Sequence, residues 1–116
     1  MKFERELLKG VAPVVVLEIL SRGAMYGYEL SSAVTQRSGE ILTLGRGTLY
    51  PLLYNLEAKG LIQGNWQESD TKRKRRYYSI TGKGKAKLID QKQQLVHLQK
   101  AMNLVFGWAG AGLSPA

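Results

Sequence analysis

The chain has 116 residues, enough for one domain with a modest core but not for two. It holds no Cys and a single His, His97, which excludes disulfides, thiolate zinc sites, cysteine nucleophiles and a His-rich metal cluster; no metal or cofactor is expected. The net charge of +8 is uneven: residues 1–71 carry seven Lys/Arg against eight Asp/Glu, residues 72–116 carry ten against Asp90 alone, a balance suited to a polyanion, nucleic acid before an anionic membrane surface.

Residues Met1 to Glu6 are charged with no signal-peptide core behind them. The most apolar run, Val11 to Leu20, contains Glu18 and is far shorter than the roughly 20 residues of a membrane span. A soluble cytoplasmic protein with no membrane partner is therefore expected. Leu7, Leu8, Val11, Val14, Val15, Ile19 and Leu20 form one apolar face of a helix from about Glu4, and Val16 and Leu17 carry it further round. Such a helix needs cover on more than one side. Pro13 leaves two readings: it opens the helix proper, with Glu4 to Lys9 as a separate arm, or it bends one helix spanning both.

Ser21-Arg22-Gly23 closes this helix, and the stretch from Met25 to Leu30 starts the next, with Leu30, Ala33 and Val34 as a narrow stripe up to Arg37. Ile41 to Leu44 is short and partly β-branched, which suits a small third strand. After Gly45-Arg46-Gly47, Leu49, Leu52, Leu53 and Leu56 fall at i, i+3, i+4 and i+7, the core face of a third helix that Gly60 stops. Its other face carries Tyr50, Tyr54, Asn55 and Lys59, with Arg46 and Thr48 at the entrance. Pro51 lies in the second turn if Gly45 caps the helix, and in the first if Gly47 or Thr48 does. Arg pairs with guanine edges, Asn with adenine, Thr and Tyr with phosphate or a thymine methyl, so this set suits a major groove.

Leu61 to Trp66 and Arg76 to Ile80 read as antiparallel strands joined by a loop from Gln67 to Arg75, with Ile62, Tyr78 and Ile80 inward. Lys72, Arg73, Lys74, Arg75 and Arg76 put five successive cations at the bend. Five adjacent positive charges repel one another and gain most from phosphate neutralisation, although a solvated surface run has the same composition. The polar tip, Ser69 to Arg75, is too long for a two-residue turn and is expected to be mobile.

Three helices and a hairpin in this order make a winged helix-turn-helix domain over residues 1–80, mainly α with a small β-hairpin. A long C-terminal dimerisation helix over 81–108 and a flexible tail over 109–116 complete the expected organisation. Leu88, Leu95 and Met102 recur every seven residues, with Gln91, Leu98 and Val105 three further on, an a/d seam with one polar interruption. A helix from Gly82 to Phe106 outreaches a core of this size at about 1.5 Å per residue. Its seam needs cover from the first helix, from a second copy, or from both, with Leu8, Val11 and Val15 on the first helix completing the expected homodimer interface. Two-fold pairing sets two helices on one face of the duplex, hence an inverted-repeat operator.

The segments Met25-Tyr26-Gly27-Tyr28-Glu29-Leu30, Gly47-Thr48-Leu49-Tyr50-Pro51-Leu52-Leu53, Leu56-Glu57-x-x-Gly60-Leu61-Ile62 and Arg76-Tyr77-Tyr78-Ser79-Ile80-Thr81-x-x-Gly84 resemble, in order and spacing, the signature blocks of the PadR family of bacterial transcriptional regulators. The resemblance runs from about Leu7 to Leu88. It implies a homodimeric repressor of double-stranded DNA, of a kind that often responds to small aromatic or xenobiotic effectors. It also implies a recognition helix over Gly47 to Lys59, a wing in the hairpin and a last helix that dimerises. Two features depart from the pattern: the wing tip is more basic and poorer in turn residues, and Gly45-Arg46 replaces a frequent Ser-Pro pair, leaving the helix without a side-chain cap. Met102, Phe106 and Trp108 read as core or interface packing rather than a ligand pocket, and His97 as a surface or interface residue; family members that bind planar compounds line the dimer interface with aromatic residues of this helix, where this sequence offers Leu95 and Leu98 rather than a Trp. The expected function is a sequence-specific regulator, a repressor by resemblance. The alternative is a winged-helix module for protein–protein or nonspecific nucleic-acid contact. No residue constellation supports an enzyme.

Overall fold

A computed structural model describes residues 2–108 of the chain; the tail expected over 109–116 lies outside the described residues. The elements run α1 (Arg5–Leu20), β1 (Met25–Tyr26), α2 (Gly27–Arg37), α3 (Arg46–Ala58), β2 (Ile62–Glu68), β3 (Lys74–Ile80) and α4 (Gly82–Phe106).

α1 is one helix that passes through Pro13. The missing proline N–H leaves the Lys9 carbonyl without its intrahelical donor, a loss the helix tolerates because Ala12, Val14, Val16, Leu17, Ile19 and Leu20 are all buried around it. Packing on several sides outweighs the local defect. Around α1 the core gathers Leu30 and Val34 of α2, Leu49, Leu53 and Leu56 of α3, and Ile62 and Tyr78 of the sheet.

The third strand is Met25–Tyr26, not Ile41 to Leu44, and α2 accordingly starts at Gly27 rather than Met25. Met25 pairs with Tyr78 and Tyr26 with Tyr77, so the sheet order is β1-β3-β2. Residues 41–44 are held by side chains instead of a ladder. Ser31 Oγ donates to the Leu44 carbonyl at 3.0 Å and the Leu42 N–H donates to Ser38 Oγ at 2.9 Å. Leu44 is thereby fully buried.

β2 and β3 pair from Ile62↔Ile80 to Glu68↔Lys74, longer at the turn end than the sequence suggests. Glu68 faces Lys74 and Trp66 faces Arg76, cross-strand partners that favour continued pairing. The tip thus shrinks to Ser69–Arg73, closed by Ser69 N–H to Arg73 O at 2.9 Å and Lys72 N–H to Ser69 O at 2.8 Å. Lys72 takes a left-handed φ of 58° there. Lys74 and Arg75 are strand residues rather than tip residues.

Thr81 caps α4: its Oγ1 accepts from Gly84 N–H at 3.0 Å and donates to the Gly60 carbonyl at 2.7 Å. Gly84 sits hard against the Leu61 carbonyl, and a Cβ there would overlap it and lie 2.8 Å from Ile80 Cγ1. Along the next turns Leu88 is buried at 7% exposure in the chain's own core, which corrects its assignment to the dimer seam. Lys92 binds the Glu18 carboxylate of α1, and Leu95 packs partly against the same core. The end of α4 projects beyond this body, giving extents of 54 × 29 × 22 Å. The radius of gyration is 15.8 Å; a compact chain of this length has about 13 Å.

Candidate nucleic-acid interface

Gly45 is the N-cap of α3 and offers no side-chain cap, so the helix begins at Arg46 and Pro51 falls in its second turn. At about 100° per residue, the candidate side chains divide into two stripes. Arg46, Tyr50 and Tyr54 form one; Thr48, Asn55 and Lys59 form the other, with the buried leucines opposite. Gly47 and Pro51 lie between the stripes, and a Cβ on Gly47 would meet nothing within 4 Å. The midline of the exposed face is therefore low and flanked by longer polar side chains. Tyr54 is 75% exposed and Tyr50 46%. Tyr50 also leans on α2, where a Cβ at Gly27 would come within 2.6 Å of its hydroxyl.

The stripe of Arg46 and Tyr50 borders a groove of about 670 Å³ whose far wall is the hairpin, with Trp66, Arg73 and Lys74 facing Tyr28. The Arg75 guanidinium lies 4.3 Å over the Tyr26 ring, and Tyr26 meets Tyr77 edge-on at 5.4 Å and Tyr28 at 6.5 Å. Of the five hairpin cations, Lys72, Arg73 and Lys74 are exposed and Arg75 is half-buried on Tyr26. Arg76 is engaged differently: its Nη2 donates to Glu57 Oε2 of α3 at 2.6 Å. The same carboxylate oxygen accepts from Gly64 N–H at 3.1 Å. Arg76 crosses above Gly64, where a Cβ would lie 2.5 Å from Nε, so the glycine makes room for the strut. Burial holds the neighbouring Tyr78 hydroxyl above its usual pKa, helped by Glu57 and opposed by Arg76.

Residues 16–90 match the family described as Transcriptional regulator PadR-like family. The chain belongs to that family. Among PadR-like relatives, the negative transcriptional regulator PadR of Bacillus subtilis is 28% identical over 80 residues, 69% of this chain, which spans 44% of that protein's length. The solved PadR-like transcriptional regulator of Bacillus cereus is 34% identical with a TM-score of 0.74, covering 86% of this chain and 95% of its own. A transcriptional regulator from Clostridium thermocellum is 28% identical with a TM-score of 0.78, covering 84% and 95%. Four helices with a small antiparallel sheet are the winged-helix architecture of these PadR-like structures. The protein is a DNA-binding transcription regulator of a non-enzymatic family. No helix among its described residues is long and apolar enough to cross a membrane.

In this PadR-like chain the remaining seam residues separate. Leu8, Val11 and Val15 are partly exposed on α1 and Met102 is half-buried, while Leu98 and Val105 are 53% and 79% exposed. Val96, Leu104 and Phe106 add to the uncovered apolar surface of α4. Gln91 Oε1 and Asn103 Oδ1 are buried without a hydrogen-bond partner. Sequence reasoning overlooked Glu57, Tyr26 and Tyr28. Glu57 enters the sequence reading only within the segment Leu56-Glu57-x-x-Gly60, where nothing along the chain points to Arg76, and the tyrosines only at the start of a helix.

Proposed function

We propose that the protein is a sequence-specific repressor that binds an inverted-repeat operator as a homodimer. The observation that carries this reading is the groove in which Arg46 and Tyr50 of α3 face Arg73 and Lys74 of the wing, a base-reading stripe beside a phosphate-binding one. Arg46, Thr48, Tyr50, Tyr54, Asn55 and Lys59 of α3 reach the major groove; Lys72, Arg73, Lys74 and Arg75 take the flanking backbone. Arg76 fixes the wing to α3 through Glu57.

The second copy covers the distal half of α4. Its exposed Val96, Leu98, Leu104 and Val105 support that pairing. A groove of about 680 Å³ between α1 and α4, lined by Gly10, Val14, Leu95 and Leu98 among others, opens toward the same surface. The groove walls contain no Phe, Tyr or Trp, in keeping with the reading of this region as packing.

Binding-site selection from fragmented genomic DNA tests the reading. An inverted repeat with half-sites about one helical turn apart is expected, with unrelated duplex competing at least a thousandfold less well. A specificity ratio near one would instead establish a nonspecific nucleic-acid module. Leu98→Glu with Val105→Glu should yield a folded monomer in analytical ultracentrifugation; an unchanged dimer refutes the α4 assignment.

A further inference from the structure

The two stripes of α3 are each bordered by a cleft. The Arg46 and Tyr50 stripe meets the wing; Thr48, about 200° around the helix from Arg46, borders a second cleft of about 580 Å³ lined by Lys2, Phe3, Arg5, Leu8 and Thr43. Lys2 and Arg5 are exposed and form no ion pair among the described residues. Of the acidic residues beside them, Glu6 is engaged 4.0 Å from Lys9, and neither Glu4 nor Glu6 lines the cleft. Phe3 is half-buried and, with Leu8, closes the apolar side of the cleft. The segment is thus a basic arm laid beside the first turn of α3 on the flank away from the wing.

A helix seated in the major groove has a phosphate strand on each side. The wing supplies cations on one flank only. We propose that Lys2 and Arg5 form a second phosphate clamp across the groove from the wing, with Thr43 and Thr48 as hydroxyl donors to the same backbone. This inference rests on the DNA-binding reading and extends it to a segment outside both the recognition helix and the wing. The arrangement makes the two clamps bracket α3, so that register along the groove is set from both sides.

Salt titration on a mixed-sequence 30-base-pair duplex tests it. Each phosphate contact contributes about 0.9 to the slope of log K against log salt. Replacing Lys2 and Arg5 with Ala should lower that slope by about 1.8 per bound protomer, and the Lys72→Ala, Arg73→Ala pair should lower it by a similar amount. A slope that falls for the wing pair and stays constant for the arm pair overturns the arm while leaving the DNA reading intact. A wild-type chain with no salt-dependent binding overturns both. Because these 116 residues include no Cys, Lys2→Cys and Lys72→Cys can each carry an iron-chelate cleavage reagent on a duplex bearing the selected site. Cuts on opposite flanks of the half-site support the bracket. Cuts on one shared flank, or none from position 2, refute it.

Discussion

Replacing Glu57 with Ala removes the acceptor that ties α3 to both wing strands. A hydrogen bond between charged groups is worth about 1.5–3 kcal/mol when enclosed. The Arg76 and Glu57 side chains are 33% and 32% exposed, and solvent screening at that exposure reduces the ionic contribution to about 1 kcal/mol. The Gly64 N–H, 3.1 Å from the same oxygen, loses its partner as well, at a cost of about 1 kcal/mol for a half-buried amide. The sum, about 2 kcal/mol, corresponds to a melting-temperature drop of about 10 °C in a chain of this size. Glu57→Gln keeps an oxygen for Gly64 and should lose only about half as much. Urea unfolding of Glu57→Ala, Arg76→Ala and the double variant should give a coupling energy of about 1 kcal/mol. DNA affinity should fall with the salt slope unchanged, because the exposed wing cations all remain. Additivity of the two single variants within about 0.3 kcal/mol would refute the strut.

Three further outcomes follow from individual contacts. Gly84→Ala drives a methyl group into the Leu61 carbonyl and should lower the urea midpoint by the equivalent of about 2–3 kcal/mol, whereas Gly82→Ala, with nothing within 4 Å, should change it little. Lys72→Gly should relieve the left-handed backbone at the tip, raising stability by up to about 1 kcal/mol, while lowering the salt slope of DNA binding by about 0.9 through the lost charge; stability without the loss of slope would show that Lys72 does not reach phosphate. The hydrogen bond from Lys92 holds the Glu18 carboxyl below the usual carboxylate range, with Arg22 helping and burial opposing. Its folded pKa is depressed, so the contribution is present above the unfolded pKa and disappears as pH falls through the folded one. Urea midpoints of the wild type should therefore decline from about pH 5 downward, with a shallower decline in Glu18→Gln.

Periodicity carried through wherever one element's own residues decide the outcome. The leucines of α3 repeat on one face, and that face is buried. α4 begins beside Thr81 and ends at Gly107, whose φ of 68° suits a helix stop, as Gly60 at 74° does after α3. The cation row was legible because charge is a property of composition. Contacts between distant segments were not legible in the same way. Met25–Tyr26 becomes a strand because the free edge of β3 needs partners for its N–H and C=O groups, while Ile41 to Leu44, equally suited by residue type, finds its partners in Ser31 and Ser38. Five adjacent cations look equivalent in the sequence, yet Arg76 pairs with Glu57 nineteen positions earlier. Leu88 and Leu98 share one seam, and only the crossing of α4 over α1 settles that the first is core and the second uncovered. Local pattern thus determined which helices and hairpin exist and where their apolar faces lie; the tertiary structure decided which polar and charged groups meet, because a hydrogen bond or ion pair depends on separations of a few ångströms that spacing along the chain does not encode.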